Sequence, residues 1–325
     1  MHERPANFTD AQLKASLGQY WGLAVAEVSY APVGFGGYHW NCRDLDGTRW
    51  FATLSAVPDA AAFAQLDAAM STAAALAARP GLEFVVGPVP MSDGLVTCQV
   101  SATHAITLFP FIDGKPGSWG DPMTTADRAA LTDMIAALHM ATPPPSIAPA
   151  RTPDLRGRAV LDRSLRERGR PWPGGPYAEP ARAILSEHGD ALIQALAAFD
   201  ALSEEVVSEG GCLVITHGEP HTGNLVRIGA DYALIDWDTV GFAWPERDLW
   251  WILTDSGAEA ARYAERTGRT VSAAAIALYR LRWDLDDVAC FVADFRAPHL
   301  DSKDTKVAFA GYRDALERFT AGSWR

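Results

Sequence analysis

One stretch of the 325-residue chain, residues 214–251, constrains the rest more than any other. Leu213-Val214-Ile215 reads as a buried strand. Tyr232-Ala233-Leu234-Ile235 reads as a second one, ending on Asp236-Trp237-Asp238. Between them His217-Gly218-Glu219-Pro220-His221-Thr222-Gly223-Asn224 makes a tight polar loop. Carboxylates at the ends of apolar strands, in a loop shaped by Gly and Pro, suit a metal-assisted reaction centre.

Three chemistries fit these residues. The plainest is a hairpin whose polar groups are solvated. The second is a metal-dependent hydrolase: His217, Glu219 and His221 alternate, so on a strand they would share one face and could ligate zinc. A helical zinc motif is excluded, because Pro220 breaks any helix there. The third is phosphoryl transfer, which needs a carboxylate for the acceptor hydroxyl, then an amide oxygen and a second carboxylate for Mg²⁺. Glu219, Asn224 and Asp236 follow that order and spacing.

HGEPHTGN, then IDWD, then Phe242-Ala243-Trp244-Pro245-Glu246-Arg247-Asp248-Leu249 resemble the three linked motifs of the aminoglycoside phosphotransferase and choline-kinase-like family, closest to its spectinomycin phosphotransferase branch. The resemblance implies an α+β chain with a two-lobe protein-kinase-like fold. A small nucleotide-binding N-lobe with an antiparallel sheet takes residues 1–112. A larger, mainly helical C-lobe, 113–325, carries the catalytic hairpin and the substrate-binding helices. It further implies ATP or GTP and Mg²⁺ as cofactors, with Asn224 and Asp236 on the metal and Asp238 assisting. His217, His221 and Asp248 become structural neighbours of the site. The acceptor would be a hydroxyl of a small, cationic molecule such as an aminocyclitol antibiotic or a related metabolite. One departure is central: the family's catalytic aspartate is Glu219 here. Its extra methylene moves the carboxylate by roughly 1 Å, a misplacement that can cost on the order of 10²-fold in rate unless the loop has adjusted. An active enzyme with an adjusted loop, a slow enzyme and an inactive kinase-shaped binding protein all stay open.

Val33-Gly34-Phe35-Gly36-Gly37-Tyr38 lies between strand-like runs, and its glycines let backbone amides approach a phosphate. A plain hairpin is the alternative; the resemblance makes Gly34, Gly36 and Gly37 the cover of the nucleotide phosphates. Strands at 38–45 and 48–54 flank Asp46-Gly47, a pair that favours a type I′ turn. By resemblance the second of these strands should carry a lysine for the phosphates, but Thr53 stands there. Arg49 shares its face, roughly 13 Å away. An Ala-rich helix to residue 78 packs Phe63, Leu66, Met70 and Ala77 on one face, with Leu76 outside it and Asp67 its internal acid. Strands follow at 84–86, 95–100 and 105–112; the resemblance makes the last the hinge that receives adenine, around Phe109 and Phe111.

Helices are expected at 8–20, 124–140, 158–170, 178–187, 189–207, 245–255, 258–267, 272–295 and 303–320, with a Pro-rich linker over 141–157. Asp284 and Asp287 sit at i,i+3 beside Trp283. By resemblance these three receive the cationic substrate; the alternative is an amphipathic helix with a charged outer face. A formal net charge of −12 argues against a nucleic-acid partner and suits cationic ligands. Four scattered cysteines without a CxxC pair point to free thiols in a reducing cytoplasm. No apolar run of about 18 residues is evident, so no membrane partner is expected. Oligomeric state is not legible.

Overall fold

The computed structural model describes residues 1–143 and 152–320; the central part of the expected linker, 144–151, lies outside these. The chain packs as two compact units, Met1–Ala150 with Leu213–Thr270, and Arg151–Cys212 with Val271–Arg325.

The first unit opens with helix α1 (Asp10–Trp21), which Thr9 and Gln12 start with a reciprocal capping box and Gly22 ends in a left-handed turn. Five antiparallel strands follow, β1 (Val25–Ala31), β2 (Gly37–Asp44), β3 (Arg49–Ala56), β4 (Thr97–Ser101) and β5 (His104–Pro110), in the order β1-β2-β3-β5-β4. Period-two alternation sends Trp40, Cys42, Ala52, Leu54, Ile106 and Leu108 to one face. There they enclose Leu13 and Leu17 of α1. The opposite face carries His39, Phe51, Thr53, Thr107 and Phe109.

The β2–β3 turn is not type I′, since Asp46 keeps a negative φ. Asp44 accepts from the amides of Asp46 and Thr48, Gly47 N–H donates to Asp44 C=O, and Gly47 takes φ +85°. That is a type I turn closed by a left-handed glycine. Helix α2 (Ala60–Ala77) buries Leu76 fully together with Met70 and Ala73, which corrects the expected face. The cause is the chain at Gly87, where an added Cβ would lie 2.7 Å from Ala77 and 2.9 Å from Ala73 O. This helix is also long and apolar enough to span a membrane by length and composition, contrary to expectation, with 28% of it buried. Residues 84–86 form no strand of their own. They make one parallel bridge, Val85 to Leu234, and so tie the segment before β4 to the 225–234 hairpin.

Short strand β6 (Lys115–Pro116) joins β8 (Leu225–Ile228) and β9 (Asp231–Leu234) in a three-stranded sheet, and β7 (Val214–Thr216) pairs with β10 (Gly241–Ala243). Helix α3 (Thr125–Met140) packs on α7 (Ala258–Thr267). Between them α6 keeps only Glu246–Leu249 of the expected 245–255. Beyond it i−3 and i−4 bonds mix, and Arg128 takes the Ile252 carbonyl that would continue the helix.

In the second unit the expected pair of helices at 178–187 and 189–207 is one helix, α5 (Ala178–Glu209). Gly189 does not break it: the glycine makes room for Arg168, whose guanidinium would lie 2.5 Å from a Cβ there. Its cost of about 1 kcal/mol is carried by good helix formers on either side. Helices α4 (Arg158–Arg166), α8 (Ala273–Arg296) and α9 (Lys303–Thr320) pack with it. The four cysteines are free thiols.

Candidate active site

The polar loop between β7 and β8 is held from below by Asp248. Its Oδ1 accepts from Gly218 N–H at 2.6 Å, and its Oδ2 accepts from His217 N–H at 2.8 Å and His139 Nε2 at 3.1 Å. Tyr263 Oη meets the other His139 nitrogen at 2.9 Å. Burial would push the Asp248 carboxyl up. The hydrogen bond from His139 and the positive Arg247 outweigh it, so its pKa lies below the ordinary carboxylate value. Arg247 also donates to Thr216 Oγ1 at 2.7 Å and Thr239 C=O at 2.9 Å, while Thr239 Oγ1 donates to His217 C=O.

Gly218 sits at φ +104° directly over this guanidinium, and a Cβ there would lie 2.2 Å from Arg247 Nη2. Gly218→Ala is therefore expected to destabilise the protein by about 2–4 kcal/mol, from clash and backbone strain together. Urea unfolding measures it, and an unchanged midpoint would contradict the close approach.

His217 uses both ring nitrogens: Nδ1 accepts from Glu219 N–H at 3.1 Å and Nε2 donates to Ile235 C=O at 2.9 Å. Burial lowers its pKa to about 4, so the ring is neutral. This overturns the zinc reading. His217 has no lone pair to give, the loop is not a strand, and no cluster of three His, Cys, Asp or Glu side chains among the described residues is arranged for a metal. His221 starts a 3₁₀ turn over Thr222–Asn224 and lies edge-on to Trp119 and Trp251, with centroids at 4.6 and 5.3 Å.

Asn224 joins the remaining parts. Its side-chain amide donates to Glu219 C=O at 2.9 Å, and its own carbonyl accepts from Ile235 N–H at 3.0 Å. Glu219 C=O also accepts from His221 N–H, so the Glu219 backbone is fixed on both sides of its Cα. The bond to Ile235 sets Asp236 beside this loop. Among described residues Asp236 is the one non-glycine with positive φ, 68°. Protein crowds its carboxyl although solvent still reaches the residue. That crowding, with the negative charges of Asp238 and Glu219, pushes its pKa well above the carboxylate range. A divalent cation at Asp236 would relieve the repulsion from Asp238 and Glu219. Trp237, fully buried, roofs His217 edge-on at 4.6 Å.

The other expected residues belong to other elements. Gly34 and Gly36 take φ +70° and +87° in the β1–β2 turn with Gly37 beside them. Phe109 pairs with Phe51, and Phe111 donates its amide to Arg49 C=O and lies under the Arg49 guanidinium at 3.5 Å. In the second unit Asp284 accepts from Arg318 at 2.7 Å and Asp287 lies 3.7 Å from the same guanidinium. Burial pushes Asp287 up to about 6 despite that pairing. Trp283 stands on the same helix. Sequence reasoning missed the 117–119 segment: a Cβ at Gly117 would meet Thr222 O at 2.3 Å, and Ser118 C=O accepts from Thr222 Oγ1. Two glycines and an exposed Trp119 around a serine were its signal.

A family model described as the APH phosphotransferase enzyme family matches residues 34–283. Protein StrN of Streptomyces griseus is 27% identical over 242 residues, 70% of either chain. Among solved structures, spectinomycin phosphotransferase APH(9)-Ia in complex with ADP and spectinomycin matches with TM-score 0.75 at 16% identity, covering 98% of this chain and all of that one. Amicoumacin kinase hAmiN, in complex with AMP-PNP, Ca²⁺ and Ami, matches with TM-score 0.59 at 12% identity over 97% and 95% of the two chains.

Proposed function

The chain belongs to the phosphotransferase enzyme family, and on that premise we propose that it transfers a phosphoryl group from a Mg²⁺-bound nucleotide to a hydroxyl of a small cationic molecule. The observation that carries this reading is the junction at Asn224, which ties the Glu219 carbonyl and the amide preceding Asp236 to one side chain and its backbone. Asn224 and Asp236, with Asp238 beside them, are the residues that hold the metal. When bound, it neutralises charge developing on the phosphates. Glu219 orients the acceptor hydroxyl and takes its proton, and the loop glycines Gly34, Gly36 and Gly37 cover the phosphates. The base of the nucleotide lies against Phe109 and Phe111. A cationic acceptor suits the net charge and the acids Asp284 and Asp287 beside Trp283, with Arg318 as the group it would displace.

Thr53 in place of a strand lysine favours a rival, a kinase-shaped protein that binds without catalysis. Glu219→Gln separates the two. In a coupled assay with Mg-ATP or Mg-GTP and an aminocyclitol acceptor, the variant should lose on the order of 10²–10⁴-fold in turnover, the usual worth of a general base. Its calorimetric nucleotide affinity should stay within about twofold, because the change falls on transfer and not on ground-state binding. Nucleotide binding with no turnover by the wild type across aminocyclitol acceptors decides for the rival, whereas equal turnover in both proteins removes Glu219 from the role of base.

A further inference from the structure

The sheet face that carries Thr53 is a polar row. Across neighbouring strands His39, Thr53, Thr107 and Thr97 stand opposite one another in register. Directly opposite residues share a face. Thr107 is 2% exposed, and its hydroxyl has no hydrogen-bond partner among the described residues, while Thr97 beyond it faces the Asp67 carboxyl. A buried hydroxyl left unbonded costs about 1–3 kcal/mol, so this row is built for something other than packing. At its end His39 Nδ1 meets Thr53 Oγ1 at 3.1 Å, and the ring stacks on Phe51 with centroids 5.3 Å apart. The ring's other edge lies directly under the glycine turn. Nε2 would be 3.2 Å from a Cβ at Gly34 and 3.4 Å from one at Gly37. Any side chain at those two positions would press on the imidazole, and glycine lets the turn close over it.

We infer that His39, backed by the Thr53 hydroxyl, is the cation that meets the nucleotide phosphates in this chain, taking up a proton as the polyanion binds. This rests on the nucleotide-dependent reading above and deepens it. With the Thr53 hydroxyl donating to Nδ1, the neutral ring carries its proton on Nε2, toward the turn. On binding, Nδ1 takes a proton from the buffer and the Thr53 hydroxyl turns to accept from it, so the imidazolium faces the phosphates with both nitrogens satisfied. In the free protein burial holds the ring down at about 4, with a smaller push from the Met1 ammonium. That ammonium donates to the carbonyls of Val33, Gly34 and Gly37. The groups facing the ring from β1 and β3 are Ala31, Phe51 and Thr53, none of which titrates. A phosphate chain beside Nε2 raises the pKa, because opposite charge favours the ionised form.

The sign follows. His39 binds its proton more tightly in the complex than in the free protein, so nucleotide affinity rises as pH falls toward the free value. Mg-ATP or Mg-GTP is titrated calorimetrically between pH 7.5 and 5.5 in two buffers of different ionisation enthalpy, with wild type and His39→Gln compared at each pH. The comparison cancels protonation of the nucleotide itself and of the Met1 ammonium. Wild-type affinity should gain about fourfold over His39→Gln across this range, with net proton uptake that the variant lacks. The wild-type His39 ring resonance supplies a second readout that needs no stable variant: its midpoint should rise by about two pH units with nucleotide. A brace for the turn alone would weaken binding equally at every pH. Parallel profiles, or an unmoved resonance, therefore overturn this inference while leaving nucleotide binding intact. No binding by wild type at any pH overturns both this inference and the reading beneath it.

Discussion

Asp236→Asn should abolish phosphoryl transfer, by on the order of 10³-fold, and yet make the metal-free protein more stable at neutral pH. The loss follows from the metal: an ion that stabilises transferring charge by about 4 kcal/mol is worth about a thousandfold in rate, and an amide holds it poorly. The gain follows from the pKa. Crowding and the charges of Asp238 and Glu219 raise the Asp236 carboxyl in the folded protein above its unfolded value of about 3.9. The folded state then holds this proton more tightly than the unfolded chain does. Stability is fully present below the unfolded pKa and is lost as pH climbs through the folded one. Asn carries no such penalty, and it tolerates the left-handed backbone at φ 68°. In chelator at pH 7.5 the variant should melt above the wild type, with the gap closing near pH 4. Mg²⁺ and nucleotide together should raise the wild-type melting temperature and leave the variant where it was. A variant that melts lower in chelator, or keeps a tenth of the turnover, contradicts the assignment.

The stretch around Asp236 was legible in the sequence because its meaning is local. Three motifs lie within 37 residues of one another. Strand alternation likewise placed β1, β2, β3 and β5 to within a few residues. Elsewhere the deciding partner is distant. The break expected between 187 and 189 is absent, and what Gly189 does there, making room for Arg168, depends on a residue 21 positions earlier. Leu76 looked exposed because the face of α2 is set by the chain at Gly87. Residues 84–86 looked like a strand, but their single bridge goes to Leu234, and β8, which pairs with β9, went unread because Arg227 interrupts its apolar run. Ser118 and Trp119 could not be joined to Thr222 and His221 across 104 and 102 positions. The missing lysine was plain at Thr53. What stands across from it, His39 on the neighbouring strand, needs the register.

Register and long-range bonding also set the second large effect, at a residue that touches neither metal nor phosphate in the proposed reaction. Asp248→Asn keeps the volume of a fully buried side chain but removes half of its acceptors. The carboxylate accepts from Gly218 N–H on one oxygen, and from His217 N–H and His139 Nε2 on the other. Whichever way the amide turns, its NH₂ faces a donor and leaves at least one buried N–H unbonded. Each such orphan costs about 1–3 kcal/mol, and breaking a buried charged contact costs about 3–5 in all. A drop of that size in urea unfolding is expected. The kinetic effect should be selective. The two amides that let go belong to His217 and Gly218, next to Glu219, whereas Asn224 and Asp236 are placed by the Asn224–Ile235 bond. Turnover should therefore fall by on the order of 10²-fold through a misplaced Glu219, with Mg-nucleotide affinity changed by no more than about threefold. Equal losses in both would mean that Asp248 holds the whole hairpin and not the catalytic loop alone. A loss of stability under about 1 kcal/mol would mean that solvent replaces the carboxylate, which its complete burial does not allow.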